Sequence, residues 1–194
     1  MQQIAFDRIK LFATILIVAM PFFISAQQSY RYTCYDGNIS FFSSTPLKDV
    51  SAVNKEVKSI LDIKSKTLAF VVTMKAFDFK NSLMQEHFNE KYVESDTYPQ
   101  ATFTGRITSD FNPSEYSEQS VTVEGKLTIH GVSHSIIANG TLHPQKDQID
   151  GQATFIVKPA DFNIKIPKLL IKNIAEEVEV NTEVTYLPKK NNAP

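Results

Sequence analysis

The chain has 194 residues, a formal net charge of −1 and charged side chains at 21% of positions. A near-neutral chain of this kind has no electrostatic footprint for nucleic acid. Its one cysteine, Cys34, excludes an internal disulfide, so stability has to come from packing and sheet closure.

Arg8 and Lys10 precede a long apolar run over 11–24, and Ser25-Ala26 supplies small residues ahead of Gln27. This is the order of an export signal, and the run is short for a membrane-spanning helix, which needs about 20 apolar residues. Residues 1–26 are read as a signal peptide cut after Ala26, with an uncleaved anchor as the alternative. Its loss removes one net positive charge and leaves 27–194, the size of one domain able to bury a core. Cys34 lacks the small-residue context of a lipoprotein acceptor, and no His, Lys or Arg adjoins it to activate the thiol. It is read as a small core or strand residue in a soluble exported protein.

From there the dominant period is two. Strands are expected at 30–35 and 39–44, followed by a polar stretch over 46–58 without a clear period, a loop or a short helix, and then strands at 59–63 and 68–77. Ser82 and Gln85 have the spacing of a capping box, and Leu83, Met84, Phe88 and Tyr92 fall on one helical face with Glu86, Asn89 and Glu90 opposite. The spacing predicts a helix over 83–93, then a Tyr98-Pro99 loop. Ala101, Phe103, Gly105 and Ile107 alternate with Thr102, Thr104 and Arg106. In the next strand Val121, Val123, Gly125, Leu127 and Ile129 alternate with Thr122, Glu124, Lys126, Thr128 and His130. One face is apolar and the other wet, as in half-buried strands. His130-Gly131 reads as a tight hairpin turn. Strands at 135–142, 152–157 and 178–186 complete the set, the last presenting Val178, Val180, Thr182, Val184 and Tyr186 on one face, and the tail 189–194 is expected to fray. Repeated antiparallel strands with polar outer faces indicate a barrel or sandwich.

Catalytic apparatus is not evident. His130 and His134 flank a turn without a cysteine or carboxylate at zinc-site spacing, so an exposed hairpin is preferred to a metal pair. His87 and Glu90 lie three apart on the helix, but not in the order of the helical motif with two histidines. There is no Gly-rich phosphate loop and no nucleophile-elbow serine. The triplets Asn38-Ile39-Ser40 and Asn139-Gly140-Thr141 match a glycosylation pattern that matters only in a eukaryotic secretory route. No metal or cofactor is expected.

The segments Phe77-Asp78-Phe79, Leu83-Met84-Gln85-Glu86-His87-Phe88, Tyr98-Pro99-Gln100-Ala101-Thr102-Phe103, Gly125-Lys126-Leu127-Thr128-Ile129-His130-Gly131 and Ala160-Asp161-Phe162 carry a joint signal. Together they resemble the YceI-like family of lipocalin-fold polyisoprenoid-binding proteins. The resemblance covers nearly the whole mature chain, so 27–188 is read as one such domain. It implies an all-β fold, an eight-stranded antiparallel lipocalin-like barrel with one short amphipathic helix inserted between strands. It also implies export to the periplasm and, as in some members, an isoprenoid chain inside the barrel. Two departures bear on ligand identity rather than fold. Ser43-Ser44-Thr45-Pro46 stands where many relatives carry a histidine-containing turn, and Pro159 precedes Ala160-Asp161 where an arginine is frequent.

An eight-stranded barrel is wide enough either to be filled by its own side chains or to hold one slender ligand. Phe70, Val72, Met74, Phe103, Ile107, Leu127, Ile129 and Phe155 are the candidates for the inward face, with Met84, His87, Phe88 and Phe162 added as ligand-binding candidates. The expected function is that of an exported protein that sequesters or carries an isoprenoid or similar amphiphilic lipid, as monomer or homodimer, with transient membrane contact and the helix as a flap. The alternatives are an enzyme on a lipid-like or small apolar substrate with His87 as acid or base, favoured by a nearby buried carboxylate, and an exported stress or interaction protein with a filled barrel.

Overall fold

The computed structural model describes residues 30–44, 49–165 and 176–189. The expected signal peptide at 1–26, the Thr45-Pro46 part of the first turn and the tail 190–194 lie outside the described residues. The strands are β1 (Arg31–Ser43), β2 (Val50–Asp62), β3 (Thr67–Thr73), β4 (Asp78–Phe79), β5 (Gln100–Ile107), β6 (Gln119–Ile129), β7 (Val132–Pro144), β8 (Ile149–Val157) and β9 (Val178–Pro188). Eight of them pair antiparallel in the order β1-β9-β8-β7-β6-β5-β3-β2, and β2 returns to β1, closing the barrel. The two-residue β4 is appended to β2 at Ala52 and Val53. The all-β, eight-stranded barrel with a single short helix is the architecture expected from the sequence.

The alternation in the sequence fixes which residues look inward. Phe70, Phe103 and Leu127 are direct cross-strand partners, as are Ala153 with Thr182 and Phe155 with Val180, so each row of partners shares the inner face. Lys126 and Glu124 lie on the opposite, exposed face.

Where elements differ from expectation, the cause is local. The two strands expected at 30–35 and 39–44 are one strand, because Asp36-Gly37-Asn38 forms bulges in the β1–β2 ladder rather than a turn. The stretch 46–58, read as a loop or short helix, is β2 from Val50 onward, continuous with the strand expected at 59–63. Its period was hidden because the register slips between Asn54 and Val57 and because Asn54 and Ser59 are polar residues at buried, inward positions. Asn54 closes the break in the ladder above β3: its Nδ2 donates to the Thr73 carbonyl at 2.8 Å, and its Oδ1 accepts from the Glu56 N–H at 2.8 Å. The strand expected over 68–77 stops at Thr73, where a 3-10 turn (Met74–Ala76) redirects the chain into β4.

The helix over 83–93 is instead α1 (Ser82–His87) followed by one π turn (Phe88–Tyr92). Its cap is Asn81 rather than Ser82: the Asn81 Oδ1 accepts from the Met84 N–H at 3.1 Å. Leu83, expected on the packed face, is 56% exposed. The β6–β7 turn has His130 at φ 51° and Gly131 at φ 73°, the two left-handed residues of a type I′ hairpin. The His130 side chain is only 11% exposed, against the expectation of an exposed hairpin. Its ring lies 4.3 Å from that of Tyr98, and its Nδ1–H donates to the Phe162 carbonyl at 3.2 Å.

One wall of the barrel is incompletely laddered. β7 pairs with β6 along Val132 to Leu142, but its pairing with β8 ends at Asn139 opposite Thr154. Phe162, 2% exposed on the 3-10 turn Pro159–Phe162, packs into this seam with Leu127 and Val157, its ring 5.2 Å from that of His134.

Gly105 and Gly125 are opposite each other on β5 and β6, and a Cβ on them would lie 2.6 Å and 2.4 Å from Cζ of Phe103. The paired glycines form a recess for that ring, and a Cβ at 125 would also meet the Thr104 carbonyl at 2.5 Å. Gly125→Ala is expected to destabilise the fold by about 1–3 kcal/mol through overpacking, measured as a lowered urea midpoint at unchanged slope.

Candidate functional site

The strand register directs an apolar row from every strand into the barrel, but those rows do not fill it. Phe41, Phe70, Phe103, Ile129, Phe155 and Val180 all point inward and remain only half-buried, because each borders empty space. Two adjoining chambers result. The upper one, about 390 Å³, lies under α1, and the lower one, about 110 Å³, lies toward the β2–β3 turn. Ile39, Val72, Ala101, Leu127 and Phe155 line both and form the waist between them.

Helix α1 roofs one side of the upper chamber because its apolar residues meet an aromatic cluster. Phe88 lies 5.0 Å from Phe79, 5.6 Å from Phe77 and 5.8 Å from Phe41, ring to ring. The π turn begins at this Phe88, and the Val93 N–H closes it by donating to the Phe88 carbonyl at 2.9 Å. Ser43, Asn81 and His87 bring polar atoms to the wall, all from the strand end and helix at this same end. Glu94 Oε1 lies 3.6 Å from His130 Nε2, which brings the loop after the helix up to the β6–β7 turn.

The floor of the lower chamber carries a buried polar pair. Ser59 Oγ donates to the Ala69 carbonyl at 2.9 Å, so the Tyr186 hydroxyl 2.7 Å away donates to Ser59. Burial pushes the Tyr186 phenol well above its usual range, and the bond to Ser59 offsets only part of that. Cys34, 2% exposed, packs in the same cluster as Tyr186 and Leu61. Among the described residues, no Asp, Glu, Lys or Arg lines either chamber, and no group of three or more His, Cys, Asp or Glu is placed to hold a metal ion.

The candidates named from sequence divide between the chambers. Met74, Met84, His87, Phe88 and Ile129 border the upper one, Phe70, Phe103 and Ile107 the lower, and Val72, Leu127 and Phe155 both. Phe162 borders neither, because it is spent in the β7–β8 seam. Sequence reasoning left out Phe41, Phe77 and Phe79, which complete the aromatic cluster. Their alternation in Phe77-Asp78-Phe79 was a usable signal, whereas Phe41 was masked by an equally aromatic neighbour, Phe42, that points outward.

Comparison with known proteins agrees with this geometry. The YceI-like domain matches residues 28–186. A polyisoprenoid binding domain from Saccharophagus degradans, implicated in plant cell wall breakdown, superposes with a TM-score of 0.71 at 16% identity, covering 83% of this chain and 99% of that one. BcnA of Burkholderia cenocepacia gives 0.66 at 18% identity, covering 77% and 95%. The Campylobacter jejuni YCEI protein gives 0.56 at 21% identity, covering 76% and 85%. At these identities the likeness is one of fold. No curated protein sequence matches significantly.

Placing a charge on the lumen wall tests its orientation. Phe103→Asp is expected to cost several kcal/mol, about 2–5, by burying an unpaired carboxylate, whereas Thr104→Asp on the exposed outer face should stay within about 0.5 kcal/mol. A larger loss of thermal stability in Thr104→Asp than in Phe103→Asp would reverse the assigned faces. The floor makes a second prediction. The folded protein holds the Tyr186 phenol neutral to higher pH than the unfolded chain, whose phenol ionises near 10.0. This group therefore leaves stability constant below that pH and lowers it as pH rises above. Between about pH 9 and about pH 11, Tyr186→Phe should lose less stability than the wild type in urea titrations.

Proposed function

Because this chain belongs to the YceI-like family, we propose that it is an exported binding protein that sequesters or carries an isoprenoid or similar amphiphilic lipid. The observation that carries this reading is the hollow lumen: inward aromatic side chains left half-accessible around about 390 Å³ of apolar space, with Ser43, Asn81 and His87 bringing polar atoms at the helix end. A tail in the chamber gains about 0.8 kcal/mol per buried CH₂, against association costs of about 4–15 kcal/mol, so an acyl or prenyl chain of many carbons is what the site suits. The headgroup then lies by Ser43, Asn81 and His87. The name of the Saccharophagus domain points the same way. In this reading residues 1–26 direct export to the periplasm, 27–188 form the carrier, and loading involves transient membrane contact.

The catalytic alternative, with His87 as acid or base, needs a buried carboxylate, and the absence of one from the described lining favours binding over catalysis. A filled-barrel interaction protein is disfavoured by the volume of the lumen.

Native mass spectrometry of protein purified from its own host is the direct test, with an apolar adduct of lipid mass as the expected result. After delipidation, rebinding of a prenol should be weakened severalfold by His87→Gln at unchanged fold if His87 meets the headgroup. Failure of both the host-purified and the reloaded protein to hold any amphiphile would overturn the reading.

A further inference from the structure

The two chambers differ in size because aromatic rings occupy the space below the waist. Phe70 and Phe103, direct partners on β3 and β5, line only the lower chamber, with ring centroids 6.4 Å apart. Phe103 is held there by the main chain itself. The facing glycines Gly105 and Gly125 provide the recess, and any Cβ at either position would push the ring toward the lumen axis. A carbon of a chain molecule takes up about as much space as a water in the liquid, roughly 30 Å³. On that scale the 390 Å³ above the waist accepts roughly 13 carbons and the 110 Å³ below it roughly 4. Beyond the lower chamber the barrel is packed shut by Leu61, Ile149 and Tyr186, each 2% exposed or less.

We propose that Phe103, seated on its glycine pair, is a chain-length stop, restricting the lumen to amphiphiles with tails of roughly 17 carbons and excluding long polyprenyl chains. This rests on the lipid-site reading above and narrows its ligand class. An apolar cavity of about 150 Å³ accepts a benzene ring, so removing the Phe103 ring more than doubles the lower chamber.

Delipidated wild type, Phe103→Ala and Phe103→Leu are loaded with farnesol, geranylgeraniol or solanesol, prenols of three, four and nine isoprene units, and read by native mass spectrometry and competition. The wild type is expected to retain farnesol, to hold geranylgeraniol weakly and to reject solanesol. Phe103→Ala should shift the geranylgeraniol-to-farnesol affinity ratio by roughly tenfold or more, the discrimination an apolar pocket shows for small changes of fit, with Phe103→Leu between. Wild type that holds solanesol as well as farnesol overturns the stop while leaving the lipid site standing. A ratio unchanged in folded Phe103→Leu also overturns it, and should Phe103→Ala not fold, the wild-type series and Phe103→Leu decide. Retention of none of the prenols removes both readings.

Discussion

The pairing of β1 with β2 is the constraint on which the interior depends. These strands are the first two in the chain, yet they are also the two ends of the strand order, and their ladder from Arg31–Asp62 to Ser43–Val50 turns an open sheet into a closed wall. Closure removes the exposed strand edges that a sheet of this length would present. It also fixes the perimeter. Once eight strands are closed, the width of the interior is set by backbone geometry, and side chains can only fill it or leave it empty. The bulges around Gly37 and the buried Asn54 are where the ladder is adjusted to let this closure happen, and they are also where the alternating pattern in the sequence breaks.

The interior is therefore an incomplete core. Most domains bury their aromatic side chains against one another. Here Phe41, Phe77, Phe79 and Phe88 pack ring to ring beside the upper chamber, yet Phe41, Phe70, Phe103 and Phe155 remain only half-buried and keep one face toward empty space. Such faces forgo the dispersion contacts of a packed interior. An apolar guest restores them, so occupancy and stability are linked: a molecule bound only to the folded barrel raises its unfolding free energy in proportion to the logarithm of its concentration over its dissociation constant.

Much of the barrel was legible because its strands obey a period of two with clean faces, as in 101–107, 121–129 and 178–186. The helix was also legible in place and in its half-buried residues Met84, Phe88 and Tyr92, though not in its cap, since Asn81 and Ser82 are adjacent residues of equal capping chemistry and only geometry separates them. What could not be read were features that spoil local pattern for a long-range reason. β2 carries inward Asn54 and Ser59 because the first bridges a broken ladder and the second receives the Tyr186 hydroxyl 127 residues away. Phe162 looks like any other apolar candidate until the seam it closes is seen. Nor could composition distinguish a hollow barrel from a filled one, since 14 Phe and 7 Tyr serve both.

That seam has a mechanical meaning. Along most of the circumference the wall is joined by directional hydrogen bonds that fix the spacing between neighbouring strands. Between the first half of β7 and the end of β8 it is joined by packing against Phe162, and packing has no preferred spacing beyond contact. The wall is thus a hoop whose one seam is closed by a side chain rather than by a ladder.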